Sequence, residues 1–158
     1  MKSIILASQS PRRKGLLSLL DLDFTVEVKS VDEIFPSDLK TADVAGYLAK
    51  LKASAFKTIL KEQIIITADT VVILDDKILG KPKNEVESKT MLQSLSNRKH
   101  EVITGVCLKS ATKTHTFSCT TNVFFKELSD AEIDYYIENY KPYDKAGSYG
   151  IQEWIGAI

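Results

Sequence analysis

Apolar positions along the chain change period several times, and each change predicts a different element. Ser3 to Ala7 is a short apolar run of the kind that forms a buried strand. Ser10-Pro11 follows, with serine suited to a helix N-cap and proline to the first turn, and Leu16, Leu17, Leu19 and Leu20 offer that helix an apolar face. Phe24 to Val28 alternates as a half-buried strand does, and Ser30 to Lys40, acidic and aperiodic, reads as a loop. Thr41 can cap a long helix in which Val44, Leu48, Leu51, Ala55 and Ile59 recur at helical spacing. Ile64 to Leu74 is almost continuously apolar and β-branched, broken only by Thr67, Asp69 and Thr70, which predicts a strand covered on both faces.

Beyond it, Asp75-Asp76 makes a turn into Lys77 to Leu79. Asn84 with Glu87 starts a helix through Leu95 in the manner of a capping box. Glu101 to Lys109 and Thr114 to Phe125 predict two long strands joined across Ser110 to Lys113, and Ser129 with Glu132 opens a last helix carrying Ile133, Tyr136 and Ile137. Strands and helices interleave, but the hairpin interrupts strict alternation. The predicted fold class is α/β, a mixed β-sheet flanked by helices. No repeat, low-complexity segment or linker divides the 158 residues, so a single domain, 1–158, is expected.

Composition narrows the classes of partner. With 21 basic and 21 acidic residues the net charge is zero, which argues against a nucleic-acid binder or a protein held on an anionic membrane. No apolar run approaches the ~20 residues of a membrane span, and the start is too short for a signal peptide, so a cytoplasmic protein is expected. Cys107 and Cys119 lie in strand-like segments without metal-ligand spacing and are expected to be reduced core thiols. His100 and His115 are isolated and are expected to be bystanders.

Four segments carry candidate chemistry. Ser8-Gln9-Ser10-Pro11-Arg12-Arg13 puts two arginines in the first turn of a helix, where they oppose the helix dipole. A bound phosphate offsets that cost, and a solvated basic turn is the alternative. Asp69-Thr70 interrupts an apolar strand, and an ionised carboxylate there is expensive unless paired or on a metal. As a hard oxygen ligand it suits magnesium, and it can also orient or deprotonate water; a cap at an exposed strand end is the alternative. Glu33, in the Asp32-Glu33 pair, is the second carboxylate such a site would need, although acidic pairs are usually just solvated. Gly80-Lys81-Pro82 places a lysine in a stiff loop but lacks the glycine spacing of a P-loop. Tyr143 to Gln152 gathers small residues, charges and a carboxamide, either to read a base edge or as a structural turn.

Taken in order, Leu6-Ala7-Ser8-Gln9-Ser10-Pro11-Arg12-Arg13, Ala68-Asp69-Thr70-Val71-Val72, Leu79-Gly80-Lys81-Pro82, His100-Glu101-Val102-Ile103-Thr104-Gly105-Val106 and Asp144 to Gln152 resemble the Maf family of nucleotide pyrophosphatases over nearly the whole chain. The resemblance implies a fold similar to the inosine triphosphate pyrophosphatases. It implies cleavage of nucleoside triphosphates to the monophosphate and pyrophosphate with a divalent cation, magnesium or manganese. Asp69 matches the family's catalytic proton acceptor. Arg12, Thr70 and Gln152 match positions that set substrate choice, while Arg13, Lys52 and Lys81 look like its phosphate-handling residues. Glu33 resembles its further acidic residue, and with Asp69 is the expected metal ligand.

Asp69-Thr70 and the Lys145 to Gln152 segment look like the branch acting on dTTP and UTP, distinct from the 7-methyl-GTP branch. A homodimer is implied by resemblance alone. Family members continue beyond the segment matching Ile151 to Ile158, so this chain is expected to lack the family's C-terminal segment. The alternative of another class is a non-catalytic nucleotide-sensing or cell-division regulatory protein, which would not need a metal-binding acid beside its phosphate cradle.

Overall fold

Six strands, placed here by a computed structural model that describes residues 3–158, form one mixed sheet. β1 (Ser3–Leu6) lies parallel between β2 (Phe24–Val26) and β3 (Gln63–Leu74), with Ile5 opposite Thr25 and Ile65. β3 continues into β4 (Lys77–Leu79) through Asp75 and Asp76, both at positive φ (49° and 57°). That is the two-residue hairpin turn whose twist matches antiparallel strands, and Val72 pairs with Leu79. β5 (Lys99–Lys109) and β6 (Thr114–Phe124) follow in the order β2-β1-β3-β5-β6. The Ser110 N–H donates to the Lys113 carbonyl at their tip (2.8 Å) and the Phe125 N–H to Arg98 at the far end (3.1 Å), which fixes an antiparallel hairpin. The expected mixed sheet with helices is the observed architecture.

The helices are α1 (Pro11–Ser18), α2 (Thr41–Ser54), α3 (Glu85–Leu95) and α4 (Asp130–Tyr140). Their starts follow local chemistry. Ser10 and Asn84 each accept a backbone N–H of the first turn, and Ser129 with Glu132 forms a complete capping box. Thr41 is the exception: Lys40 occupies the N-cap position without a side-chain bond, and its backbone carbonyl accepts from Asp43 instead. α2 also stops at Ser54, so Ile59 lies beyond the helix and Ala55 serves as its C-cap.

The chain divides into two compact units, Met1–Asp69 with Thr104–Cys119 and Thr70–Ile103 with Thr120–Ile158, and β3, β5 and β6 contribute residues to both. In the first, Ile5, Ala7, Phe56 and Ile65 form one buried cluster and Ala49, Ala53 and Cys107 another. α2 is seated closely on β5: a Cβ on Gly105 would stand 2.4 Å from the Ala45 carbonyl carbon and the Gly46 nitrogen. Glycine is required there because only it lets two backbones approach so far. In the second unit Val72, Leu74, Leu92, Leu95, Ile133, Tyr136, Ile137, Tyr149 and Ile155 form the core.

Three expectations fail for reasons of packing. No residue of α1 is buried; Leu16, Leu19 and Leu20 are exposed, because the inward positions are Arg13 and Leu17, one turn apart on one face. β2 ends at Val26 and turns only Phe24 partly inward, so the alternation from Phe24 to Val28 does not make a half-buried strand. Cys107 is a free, buried thiol as expected, but Cys119 is exposed, since β6 ends the strand order and leaves most of its residues in solvent.

Candidate active site

β3 carries Asp69 at the end of a buried run, with 8% of the residue exposed. Its Oδ1 accepts from Lys52 Nζ at 2.5 Å, and the same ammonium lies 3.1 Å from Glu33 Oε1. One lysine in the last turn of α2 thus bridges an acid from the strand and an acid from the irregular segment before the helix. The side chains of Lys52 and Asp69 are 19% and 12% exposed, so this pair interacts through poorly screened surroundings, whereas Glu33, at 54%, meets solvent.

Several contacts hold α2 where this bridge needs it. The buried Thr67 hydroxyl donates to the Ala49 carbonyl at 2.6 Å, linking the strand two residues before Asp69 to the helix three residues before Lys52. Lys109 donates to the carbonyls of Ala53 (3.2 Å) and Phe56 (2.9 Å), which satisfies acceptors at the helix C-terminus. Gly105 completes the seat.

Arg13 joins the same cluster by a different route. Ser10 Oγ accepts its backbone N–H (3.4 Å), and its Nη1 donates to the Ala68 carbonyl at 2.7 Å, beside Asp69. Burial lowers the guanidinium pKa, the charge of Asp69 opposes that shift, Arg12 adds to it and Glu33 opposes it. The sequence placed two arginines side by side, and the family resemblance gave them different roles. The structure separates them: Arg13 is half-buried and bonded to the strand, while Arg12 is exposed at the start of the helix.

Thr70, Lys81 and Gln152 belong to the second unit. Thr70 is half-buried, the next residue of β3 after Asp69. Lys81 is exposed between the exposed Gly80 and the buried Pro82. The Gly80 carbonyl accepts from the Gly147 N–H at 3.0 Å, which joins the Lys81 loop to the segment running toward Gln152. Gln152 is exposed in a turn closed by the Glu153 N–H to the Gly150 carbonyl at 2.9 Å.

Sequence reasoning missed two features of this unit. His100 has a structural place that the sequence did not reveal: it is 2% exposed, contacts the Tyr149 hydroxyl through Nε2 at 2.6 Å, and meets Phe125 and Tyr149 edge-on. Burial pushes its pKa down to about 4, opposed in part by the Arg98 backbone, and its Nδ1 finds no well-formed hydrogen bond among the described residues. Lys145 is 8% exposed and paired with Asp144 (2.8 Å) and Glu153 (3.1 Å). The only available signal was the charge density of the segment itself. No helix among the described residues is long and apolar enough to cross a membrane.

The chain is similar to known proteins in both sequence and fold. A dTTP/UTP pyrophosphatase of Flavobacterium psychrophilum is 54% identical over 156 residues, 98% of this chain and 80% of that one. A dTTP/UTP pyrophosphatase of Porphyromonas gingivalis is 52% identical over 159 residues, again 98% and 80%. In structure the chain is similar to the Ham1 protein of Staphylococcus aureus, with a TM-score of 0.56 and 17% identity over 78% of this chain and 71% of the other, a likeness of fold alone. The family described as Maf-like protein matches residues 3–158, almost the whole sequence that places Arg13, Glu33, Lys52 and Asp69 together, and the chain belongs to the Maf family.

Proposed function

We propose that this protein hydrolyses dTTP and UTP to the monophosphate and pyrophosphate, with Asp69 as the proton acceptor for the attacking water. The observation that carries the reading is the ammonium of Lys52 held 2.5 Å from Asp69 and 3.1 Å from Glu33, with Arg13 anchored one residue before Asp69. Relatives at 54% and 52% identity bear the name dTTP/UTP pyrophosphatase, which supports the choice of substrate.

The donor set fits a divalent cation. Two carboxylates already share one positive centre, and among the described residues no cluster of three or more His, Cys, Asp or Glu side chains offers a closed cage. Magnesium is commonly held in this way, by one or two carboxylates with water and substrate phosphate completing its shell. Asp69 and Glu33 would hold it, and when bound it would supply Lewis-acid neutralisation of phosphate charge.

The remaining work falls to the chain's own groups. Asp69, held on a rigid strand, orients the water and takes its proton. Lys52 bridges Asp69 and Glu33 and contributes positive charge as negative charge develops on the phosphoryl oxygens. Arg12, exposed at the start of α1, and Arg13 bind phosphate oxygens, and Lys81 adds a further cation. Phosphoryl transfer needs mainly positioning and charge neutralisation, so no covalent nucleophile is required. Gln152, with a carboxamide that offers one donor and one acceptor edge, matches uracil or thymine, and the amino group of cytosine leaves one partner mismatched. Thr70 shares in that selection.

A nucleotide panel with products identified tests the reading: dTTP, UTP, CTP, 7-methyl-GTP and purine triphosphates, assayed separately for pyrophosphate and orthophosphate. Pyrophosphate from dTTP and UTP in preference to the rest is expected. Asp69→Asn should lower turnover at least ~100-fold with the fold intact. Normal pyrophosphate release by folded Asp69→Asn would exclude Asp69 as the base.

A further inference from the structure

We infer that Tyr136, Glu153 and Lys145 form a clamp that positions the Gly150–Glu153 turn, and through it Gln152, making Tyr136 a specificity-positioning residue for the pyrimidine base. The inference rests on the proposed reading that Gln152 selects the base.

The clamp begins in the core. Tyr136 lies on α4, wholly buried, and its ring stacks on Tyr140 with centroids 5.1 Å apart. Its hydroxyl donates to the Glu153 carboxylate and accepts the Gly150 N–H at 3.0 Å. These are the first and last residues of the turn whose two central residues are Ile151 and Gln152. Burial, and next the Glu153 carboxylate, push the phenol pKa upward, so the hydroxyl remains a donor throughout the neutral range.

Glu153 is engaged on both oxygens, by Tyr136 on Oε2 and by Lys145 on Oε1 at 3.1 Å. Lys145 is itself buried and held by Asp144 at 2.8 Å. An independent contact meets the turn on its other flank: a Cβ on Gly156 would stand 1.9 Å from the Ile151 carbonyl oxygen, so the following backbone presses directly on the residue before Gln152.

Every polar tie made by Tyr136 and Lys145 to the turn goes to Gly150 or Glu153. Gln152, between them, is exposed, and its carboxamide has no hydrogen-bond partner among the described residues. Gln152 therefore does not tie down its own loop; the loop is tied down around it. Desolvating the buried Lys145 and the half-buried Glu153 is costly, and such a pair adds little stability over apolar packing, whereas it does fix one geometry. A binding side chain needs such support, because a hydrogen-bonding edge discriminates only when it is held in place.

The test uses the full chain with Tyr136→Phe, which keeps the ring and removes both hydroxyl contacts, together with Gln152→Ala and the double variant. Two quantities are read: hydrogen–deuterium exchange across residues 146–156, and the ratio of kcat/KM for UTP to that for CTP. Tyr136→Phe is expected to accelerate exchange and to lower the UTP:CTP ratio roughly 10- to 100-fold, the scale of a misplaced positioning group. The double variant should discriminate no less than Gln152→Ala alone, since both changes remove one contact. Glu153→Gln, which can still accept from Tyr136, should keep part of the ratio.

Unchanged exchange in Tyr136→Phe would overturn the clamp. Faster exchange with UTP and CTP turnover reduced by one common factor would make it a stabilising tie and overturn the specificity role. If Gln152→Ala leaves the ratio unchanged while Tyr136→Phe accelerates exchange, the inference is overturned through the reading of Gln152, not through the clamp.

Discussion

Replacing Gly105 by alanine should impair the reaction from a position that touches neither acid nor substrate. The added methyl would stand 2.4 Å from two main-chain atoms of α2, the Ala45 carbon and the Gly46 nitrogen, and 2.5 Å from the Ala45 oxygen. Non-bonded carbon atoms settle at about 3.5–4.0 Å, so the strand and helix backbones must part by roughly 1 Å. No side-chain rotation can relieve a clash between main chains. Overpacking of this kind costs about 1–3 kcal/mol, which lowers Tm by several degrees.

The same displacement reaches Lys52, which lies two turns beyond Ala45 on α2. Its ammonium contacts Asp69 at 2.5 Å and Glu33 at 3.1 Å, distances that a shift of roughly 1 Å disrupts. Misplacement on that scale lowers catalysis by about 100-fold. The assay is pyrophosphate release from UTP by Gly105→Ala, at a temperature where circular dichroism shows the variant folded, beside its thermal melt. A lowered Tm with wild-type turnover would refute the link between the helix seat and the site. Wild-type values for both would refute the close approach itself.

Other outcomes follow from the same geometry. Arg12→Ala should lower turnover with Tm unchanged, whereas Arg13→Ala should lower both, because the Ala68 carbonyl loses its donor at a cost of about 1–3 kcal/mol; equal melts for the two variants would contradict the distinction. Removing divalent cations with a chelator should abolish turnover, and magnesium or manganese should restore it, as full activity in excess chelator would disprove. His100 gives stability a pH dependence. Its folded pKa of about 4 lies below the ordinary 6.5, so the unfolded chain takes up the proton first, and stability that is complete above pH 6.5 declines as pH falls toward 4. By pH 5.5 the loss should be about 1.4 kcal/mol, read from urea midpoints at pH 7.5 and 5.5. The same loss in His100→Phe would assign it to other groups.

Most of the elements, and the candidate site residues as candidates, were legible in the order of residues. The capping of α3 and α4, the Asp75-Asp76 turn and the buried run of β3 all follow from interactions among residues a few positions apart, and sequence order displays such interactions directly. Asp69 and the two arginines were likewise recognisable from unusual local settings, an apolar strand and a helix start, whereas Lys52 was indicated only by the family resemblance.

What the tertiary structure alone decided is which of them meet. Lys52 and Asp69 are 17 residues apart, and their contact depends on the seat of α2 against β3 and β5, set by Thr67, Gly105 and Lys109. Arginine 13 and Leu17 turned inward while Leu16, Leu19 and Leu20 remained in solvent, since the rotation of a short helix about its axis is fixed by its contacts and not by its own hydrophobicity. The burial of His100 and the pairing of Lys145 with Glu153 have the same origin. Desolvation and long-range pairing arise only when distant segments pack, and no local pattern encodes them.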